Sequence, residues 1–158
     1  MSAPLNIRYL ILLGIKENAL DNITGDNYIE DGLPNLVSIQ PESLDQLNSS
    51  QFPAILLFDG DEDSWEDPIE ESTDVLTEKR FMDVEIICYY KTKTRADIVQ
   101  NLNALISNVK KAIHENRTSI HNNLMFIRPQ EIEVSYGDVF AIAKLNYLVY
   151  YYYEGDGT

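Results

Sequence analysis

The chain predicts an α+β domain, in which a mixed or antiparallel sheet of about four to five strands packs against two amphipathic helices. Two long segments alternate between apolar and polar residues as strands do, and two others repeat apolar residues at helical spacing. A long acidic β-hairpin-like loop is expected between two of the strands. With 158 residues, 44% of them apolar, the chain is long enough for one domain with its own core, which we place at residues 1–158.

The first predicted element is a helix from about Leu5 to Asn22. Its apolar residues recur at nearly helical spacing, and Pro4 suits a helix start because no backbone N–H is needed there. After a connection rich in turn residues, Leu36–Ile39 predicts a short strand. Ala54–Phe58 predicts a longer strand, with Pro53 at its start because proline cannot donate to a sheet ladder.

The strand predicted at Phe81–Lys91 places Met82, Val84, Ile86, Cys88 and Tyr90 on one face. Cys88 is the only cysteine, so intrachain disulfides are excluded and a reducing compartment is the simplest setting. It can be interpreted as a nucleophile or as a small core residue. The core interpretation is favoured, because nothing near it in sequence would lower its pKa.

A second helix is expected from a cap at Thr94 to about Asn116. Its apolar stripe lies at Ile98, Leu102, Leu105, Val109, Ala112 and Ile113, with steps of four, three, four, three and one residues. The bases near its end, Lys110, Lys111 and Arg117, favourably oppose the helix dipole. They are expected to be solvated, with contact to the acidic tract of a neighbouring subunit as the alternative.

The last third of the chain predicts a strand beginning at Leu124, an alternating segment at Ile132–Tyr136, and one long strand at Val139–Tyr153. Gly137-Asp138 is a turn signal between the last two. The final strand is apolar on both faces, which indicates that helices or another subunit cover each face. Residues 154–158 are expected to form a mobile tail.

The most distinctive feature is the tract Asp59–Asp74, which contains nine acidic residues and no base. We predict an acidic loop over 59–78, which is either solvated or a functional surface. The tract nearly matches a calcium-binding loop, but Ser64 stands where such a loop needs glycine, so a dedicated calcium site is not expected.

Charge and motifs exclude several classes of function. The net charge of −14 opposes direct binding to nucleic-acid phosphates and to anionic membranes. His114 and His121 lack further ligands at suitable spacing for zinc. There is no phosphate-binding glycine loop and no nucleophile motif. We therefore expect neither an enzyme nor a cofactor, and no membrane segment.

The order of these elements resembles the tail terminator, or tail completion, proteins of long-tailed bacteriophages. The resemblance is architectural and covers nearly the whole chain: Leu10–Ile23, the FPAI step at 52–55 into a strand, Phe81–Tyr90, Arg95–His114 and Glu131–Tyr153. It implies a virion protein whose subunits form a ring, expected to be a hexamer, on the last ring of the tail tube. Such a ring stops tube polymerisation and provides a docking surface for the neck or head-completion protein.

That resemblance gives roles to two sets of residues. A loop facing the ring lumen or a partner is expected at Asp59, Asp61, Glu62, Asp63, Trp65, Glu66, Asp67, Glu70 and Glu71. A subunit interface is expected at Tyr147, Val149, Tyr151 and Tyr153. DNA would pass through the acidic lumen without specific binding, because carboxylates repel phosphates.

Two other classes of protein compete with this interpretation. A phage neck or head-completion protein would share the fold class and the acidity, and would differ in the virion surface it binds. An acidic inhibitor that mimics DNA would instead spread its charges over a folded surface. The concentration of acidic residues in one tract disfavours the second.

Overall fold

A five-stranded mixed sheet with two helices on one face forms the domain, which confirms the predicted α+β class. The structure is a computed structural model that describes residues 6–39, 47–64, 76–92 and 96–155. The elements in chain order are α1 (Ile7–Asn18), β1 (Leu36–Ile39), β2 (Ala54–Ser64), β3 (Leu76–Lys91), α2 (Ile98–Glu115), β4 (Leu124–Tyr136) and β5 (Phe140–Gly155).

The strands are ordered β1-β2-β3-β5-β4 across the sheet. The pair β1–β2 is parallel, and the other three pairs are antiparallel. The last strand in sequence therefore lies between β3 and β4. Strand β4 forms one edge, and it is interrupted by register shifts near Phe126 and between Pro129 and Glu131, as bulges produce.

Helix α1 is shorter than predicted. The Asn6 side chain accepts a hydrogen bond from the Tyr9 N–H and caps the start, and the helix ends at Asn18. A separate 3-10 turn at Leu20–Asn22 continues the chain. Apolar periodicity persisted past Asn18 because Leu20 is buried in the same core, although the backbone is no longer α-helical there.

Helix α2 carries the predicted core stripe. Ile98, Leu102, Leu105, Val109 and Ala112 are all buried against the sheet. Asp97 occupies the N-cap position without a capping hydrogen bond from its side chain, and the expected cap Thr94 lies outside the described residues. The helix ends at Glu115, close to the predicted end at Asn116.

Strands β2 and β3 form a longer hairpin than the alternation predicted. Strand β2 continues through Ser64, and β3 begins at Leu76. The ends of the loop predicted at 59–78 are therefore strand, and its middle, 65–75, lies outside the described residues. Likewise β5 reaches Gly155, so the first two residues of the predicted tail at 154–158 are strand.

Close backbone approaches join the helices to the loops around them. A Cβ on Gly14 would lie 2.0 Å from the Ile120 carbonyl oxygen, and one on Gly32 would lie 2.4 Å from the Ala104 carbonyl carbon. Asn108 is almost fully buried, and its side-chain amide forms hydrogen bonds with the backbone of Ile29 and Gly32. These contacts fix α2 against the connection that precedes β1.

Candidate functional site

The helices cover one face of the sheet and leave much of the other face open. Alternate residues of β3 and β5 are fully buried beneath the helices, as at Val84, Cys88 and Ala143. Their neighbours in sequence point to the opposite face, where a small apolar cluster of Phe52, Ala54, Leu56 and Ile87 lies at the β1 side. We refer to this second surface as the open face.

The centre of the open face is acidic. A depression of about 510 Å³ is lined by residues of β2, β3, β4 and β5, namely Phe58, Asp59, Gly60, Asp61, Asp83, Glu85, Glu131, Glu133, Lys144 and Asn146. The register explains the grouping, because Glu133 pairs with Lys144 and Glu131 pairs with Asn146 across the β4–β5 ladder. We call Asp61, Asp83, Glu85, Glu131 and Glu133 the acidic band.

Aromatic side chains lie at both ends of the acidic band. At one end, the Tyr150 ring lies 4.3 Å from that of Phe126 and 5.7 Å from that of Phe81. At the other end, the Tyr89 ring lies 5.1 Å from that of Phe52 and 6.2 Å from that of Phe140. Phe126 and Phe140 are each 38% exposed, so both clusters present apolar area to solvent. Large amphipathic rings at a surface are favoured in protein contacts.

The described part of the acidic tract is held by two arginines. The Arg8 guanidinium of α1 donates to the Asp59 carboxylate at 2.8 Å and to the Gly60 carbonyl at 2.6 Å. Arg80 donates to Glu62 at 2.7 Å across the hairpin. These bonds anchor the base of the hairpin, and they engage two carboxylates of the acidic tract, Asp59 and Glu62.

The predicted site residues of the tract are therefore divided. Asp59, Asp61 and Glu62 lie on strand β2, and Asp63 continues that strand and pairs with Phe81. Trp65, Glu66, Asp67, Glu70 and Glu71 lie outside the described residues. Asp61 belongs to both the acidic tract and the acidic band, so the two form one acidic surface at this point.

The predicted subunit interface needs a correction. Tyr147, Val149 and Tyr151 are only 3%, 0% and 0% exposed, because they face the helices and belong to the core of this chain. The side chain of Tyr153 lies outside the described part of β5. The residues of β5 that another subunit can reach are the alternate set on the open face, including Phe140, Leu148 and Tyr150.

The candidate nucleophile and metal ligands are placed as follows. Cys88 is fully buried, and burial raises the pKa of its thiol to about 12, which opposes thiolate formation. His121 accepts a hydrogen bond through Nδ1 from the Asn123 N–H, and His114 is exposed on α2. Within the described ranges, no three side chains of His, Cys, Asp or Glu are grouped to hold a metal ion.

A groove runs between α2 and the edge strand β4. It encloses about 560 Å³ and is lined by Lys110, Ile113, His114, Arg117, Ile127, Pro129, Gln130, Glu131, Ile132, Leu145, Asn146 and Tyr147. Apolar side chains dominate its floor, and the bases project from α2 and the residues that follow it. We call it the α2–β4 groove.

Sequence reasoning missed both the acidic band and this groove. In sequence, Asp83 and Glu85 alternate with Val84 and Ile86, and Glu131 and Glu133 alternate with Ile132 and Val134, which predicts only a polar face on each strand. The available signal was that both pairs alternate with apolar residues, which puts each pair on one side of its strand. Only the strand order brings the two pairs to opposite sides of Lys144.

Comparison with known proteins adds no identification. No protein-family model matches the chain, and no curated protein matches it. Among the described helices, none is both long enough and apolar enough to cross a membrane.

Proposed function

We propose that this chain is a structural virion subunit that forms a ring, expected to be hexameric, at the end of a phage tail tube. The ring stops tube polymerisation and provides the docking surface for the neck or head-completion protein. The observation that best supports this role is the open face, where exposed aromatic clusters lie on either side of an acidic band. The order of secondary-structure elements adds support, because it is the order on which the resemblance to tail terminator proteins rests.

The charge distribution suits passage of DNA through such a ring. The chain carries 26 acidic and 12 basic residues, and the acidic band adds to the tract Asp59–Asp74. Carboxylates along a lumen repel phosphates, so DNA passes without being held. The aromatic clusters have the composition of contact surfaces with other protein subunits, such as the tube protein or the neck.

The test combines oligomeric state with a tube-capping assay. Native mass spectrometry and negative-stain imaging of the purified chain, at high concentration with magnesium, are expected to reveal closed six-membered rings with a central hole. Incubation with polymerising tail-tube protein is expected to stop tube growth and to leave the ring at one tube end. Unchanged tube length together with a strict monomer would refute the proposal.

Two rival functions give different results in the same assays. A neck or head-completion protein would bind the connector of the head and leave tube growth unaffected. An inhibitor that mimics DNA is favoured by one observation, the acidic band on a folded surface. It would remain a monomer or small oligomer, and it would compete with DNA for a DNA-binding protein.

A further inference from the structure

The α2–β4 groove leaves apolar side chains of the edge strand β4 exposed beside an unpaired strand edge. Strand β4 has β5 on one side and, within the described residues, no strand on the other. Ile132, Val134 and Tyr136 pair with Leu145, Ala143 and Ala141, so all three lie on the helix side of the sheet. Yet they are 39%, 43% and 45% exposed, respectively. Of these three, Ile132 lines the groove, and Val134 and Tyr136 continue the apolar surface along β4. The groove therefore offers an apolar floor and an unpaired strand edge to an extended segment.

The α2 side of the groove is basic in a chain that is otherwise acidic, while one carboxylate, Glu131, lines its β4 side. Lys110 and Arg117 are exposed, and neither forms an ion pair within 4.0 Å with the described residues. Arg117 donates to the carbonyl oxygen of His114, which holds it near the end of α2. A chain with only 12 Lys and Arg residues therefore presents two of them beside one apolar groove.

We propose that the α2–β4 groove binds the acidic segment Trp65–Val75 of a second copy of this chain. That segment combines apolar residues with carboxylates, which matches an apolar floor and a basic wall. Its apolar members are Trp65, Ile69 and Val75, and its acidic members are Glu66, Asp67, Glu70, Glu71 and Asp74. Tryptophan in a pocket is a frequent anchor of protein interfaces.

This contact rests on the proposed ring function and specifies how one subunit meets the next. The groove and the segment are different surfaces of the same chain, so the contact is heterologous and repeats from head to tail. Such a contact closes into a ring when the rotation between subunits allows it. The acidic segment then faces a neighbouring subunit, and the acidic band remains for the lumen.

Isotope-mixed crosslinking tests the contact in the full chain. Unlabelled and 15N-labelled protein are mixed in equal amounts and treated with a carbodiimide, which couples a lysine amine to a carboxylate in direct contact. We expect links from Lys110 to acidic residues of 65–75 that join one labelled and one unlabelled chain. Links found only within chains of one isotope, or no such links, would overturn the proposal.

Charge reversal supplies an independent measurement. A labelled peptide of residues 62–76 is titrated with the full chain and followed by fluorescence anisotropy. The Lys110→Glu/Arg117→Glu variant is expected to bind about tenfold more weakly, because two attractions become repulsions. The Lys91→Glu/Lys144→Glu variant carries the same change in net charge outside the groove, and it is expected to bind like the parent chain.

The same peptide with Trp65→Ala is expected to lose about tenfold in affinity for the parent chain. Equal binding by both charge variants, or no saturable binding by the parent, would overturn the groove assignment. Thermal unfolding of each variant separates lost binding from lost folding.

If the groove does not bind the segment but the chain still caps tail tubes, the groove contact is refuted and the ring function is retained. A confirmed contact without tube capping would instead remove the tail-terminator role.

Discussion

Asn108 of α2 is a buried polar residue whose side chain forms hydrogen bonds with the backbone. The Asn108 side-chain oxygen accepts a hydrogen bond from the Ile29 N–H at 2.9 Å. Its amide donates to the carbonyl oxygens of Ile29 at 2.9 Å and Gly32 at 3.0 Å. Asn108 is 1% exposed and Gly32 is buried, so the Gly32 carbonyl has little access to water if the Asn108 side chain is removed, whereas Ile29 is 48% exposed.

Replacing Asn108 with Ala is expected to lower the free energy of unfolding by about 2–4 kcal/mol, because three hydrogen bonds are lost and the Gly32 carbonyl stays buried. Urea unfolding measures the change. Asn103→Ala on the exposed side of the same helix is the control, and it is expected to change stability by less than about 1 kcal/mol. Equal effects at the two positions would contradict the structural role of Asn108.

The buried thiol of Cys88 makes the free energy of unfolding depend on pH in the alkaline range. Burial raises the pKa of its thiol from 9.0 to about 12, so between these values the unfolded chain has lost a proton that the native chain keeps. The stabilisation is complete below pH 9.0 and is lost as the pH rises toward about 12. Burial also raises the pKa of Tyr147 from 10.0 to about 12, with a smaller contribution from Cys88, and this acts in the same direction.

The Cys88→Ala variant should therefore lose stability less steeply above pH 9.0, by about 1.4 kcal/mol per pH unit. Urea unfolding at a series of pH values gives the two slopes. Tyr147→Phe is the matched variant, and it should reduce the slope only above about pH 10.0. Parallel curves for Cys88→Ala and the parent chain would show that the thiol titrates alike in both states.

At the scale of elements, α2 shows where pattern reasoning succeeds. Its apolar residues repeat every three or four positions because one side of the helix packs on the sheet, and the same positions are buried in the structure. Strand β3 shows the same agreement on its helix side. Its far end was missed, because Leu76–Arg80 follows an acidic tract and shows little alternation in sequence.

Leu105→Asp and Val109→Asp should each abolish cooperative thermal unfolding, because each puts a carboxylate into a site with 0% exposure. Ser107→Asp lies on the exposed side of α2 and is expected to leave the melting transition in place. Circular dichroism during heating distinguishes the outcomes. A sharp transition in both core variants would invalidate the register of this helix.

At the scale of the whole molecule, both helices lie on one face of the sheet. The residues that stabilise the fold are therefore different from those that are available for contacts with other subunits. The helix-side residues hold the domain together, while the open face, the edge strand β4 and the described part of the acidic tract contribute little to the core. Substitutions in these outer surfaces should change assembly and leave folding intact.

Neutralising the tract with Glu66→Gln, Asp67→Asn, Glu70→Gln and Glu71→Gln tests that separation. The variant is expected to unfold at the same urea concentration as the parent within error, because an amide keeps the volume of the carboxylate it replaces and single charges contribute little to stability. Under the proposed ring function, it is expected to cap tail tubes poorly and to yield fewer infectious particles when it replaces the parent protein during assembly. Full infectivity would show that the charges of the tract have no part in assembly.

The sequence by itself determined the fold class, the core stripe of α2, the alternation of β3 and β5, and the location of the acidic tract. These are local properties, because periodicity and charge are visible within one segment. The subunit interface was predicted at Tyr147, Val149 and Tyr151, which lie on the face of β5 that the helices cover. The sequence does not distinguish the two faces, because both are apolar. Only the packing of the helices reveals which face is covered.

The tertiary structure alone decided the strand order, the acidic band, the aromatic clusters and the α2–β4 groove. Each of these joins residues far apart in the chain, such as Asp83 with Glu133 and Lys110 with Ile127. Their proximity depends on β5 lying between β3 and β4, and on α2 covering the sheet short of the β4 edge. No pattern within a single segment carries that information, since strand order is set by how the helices and strands pack together.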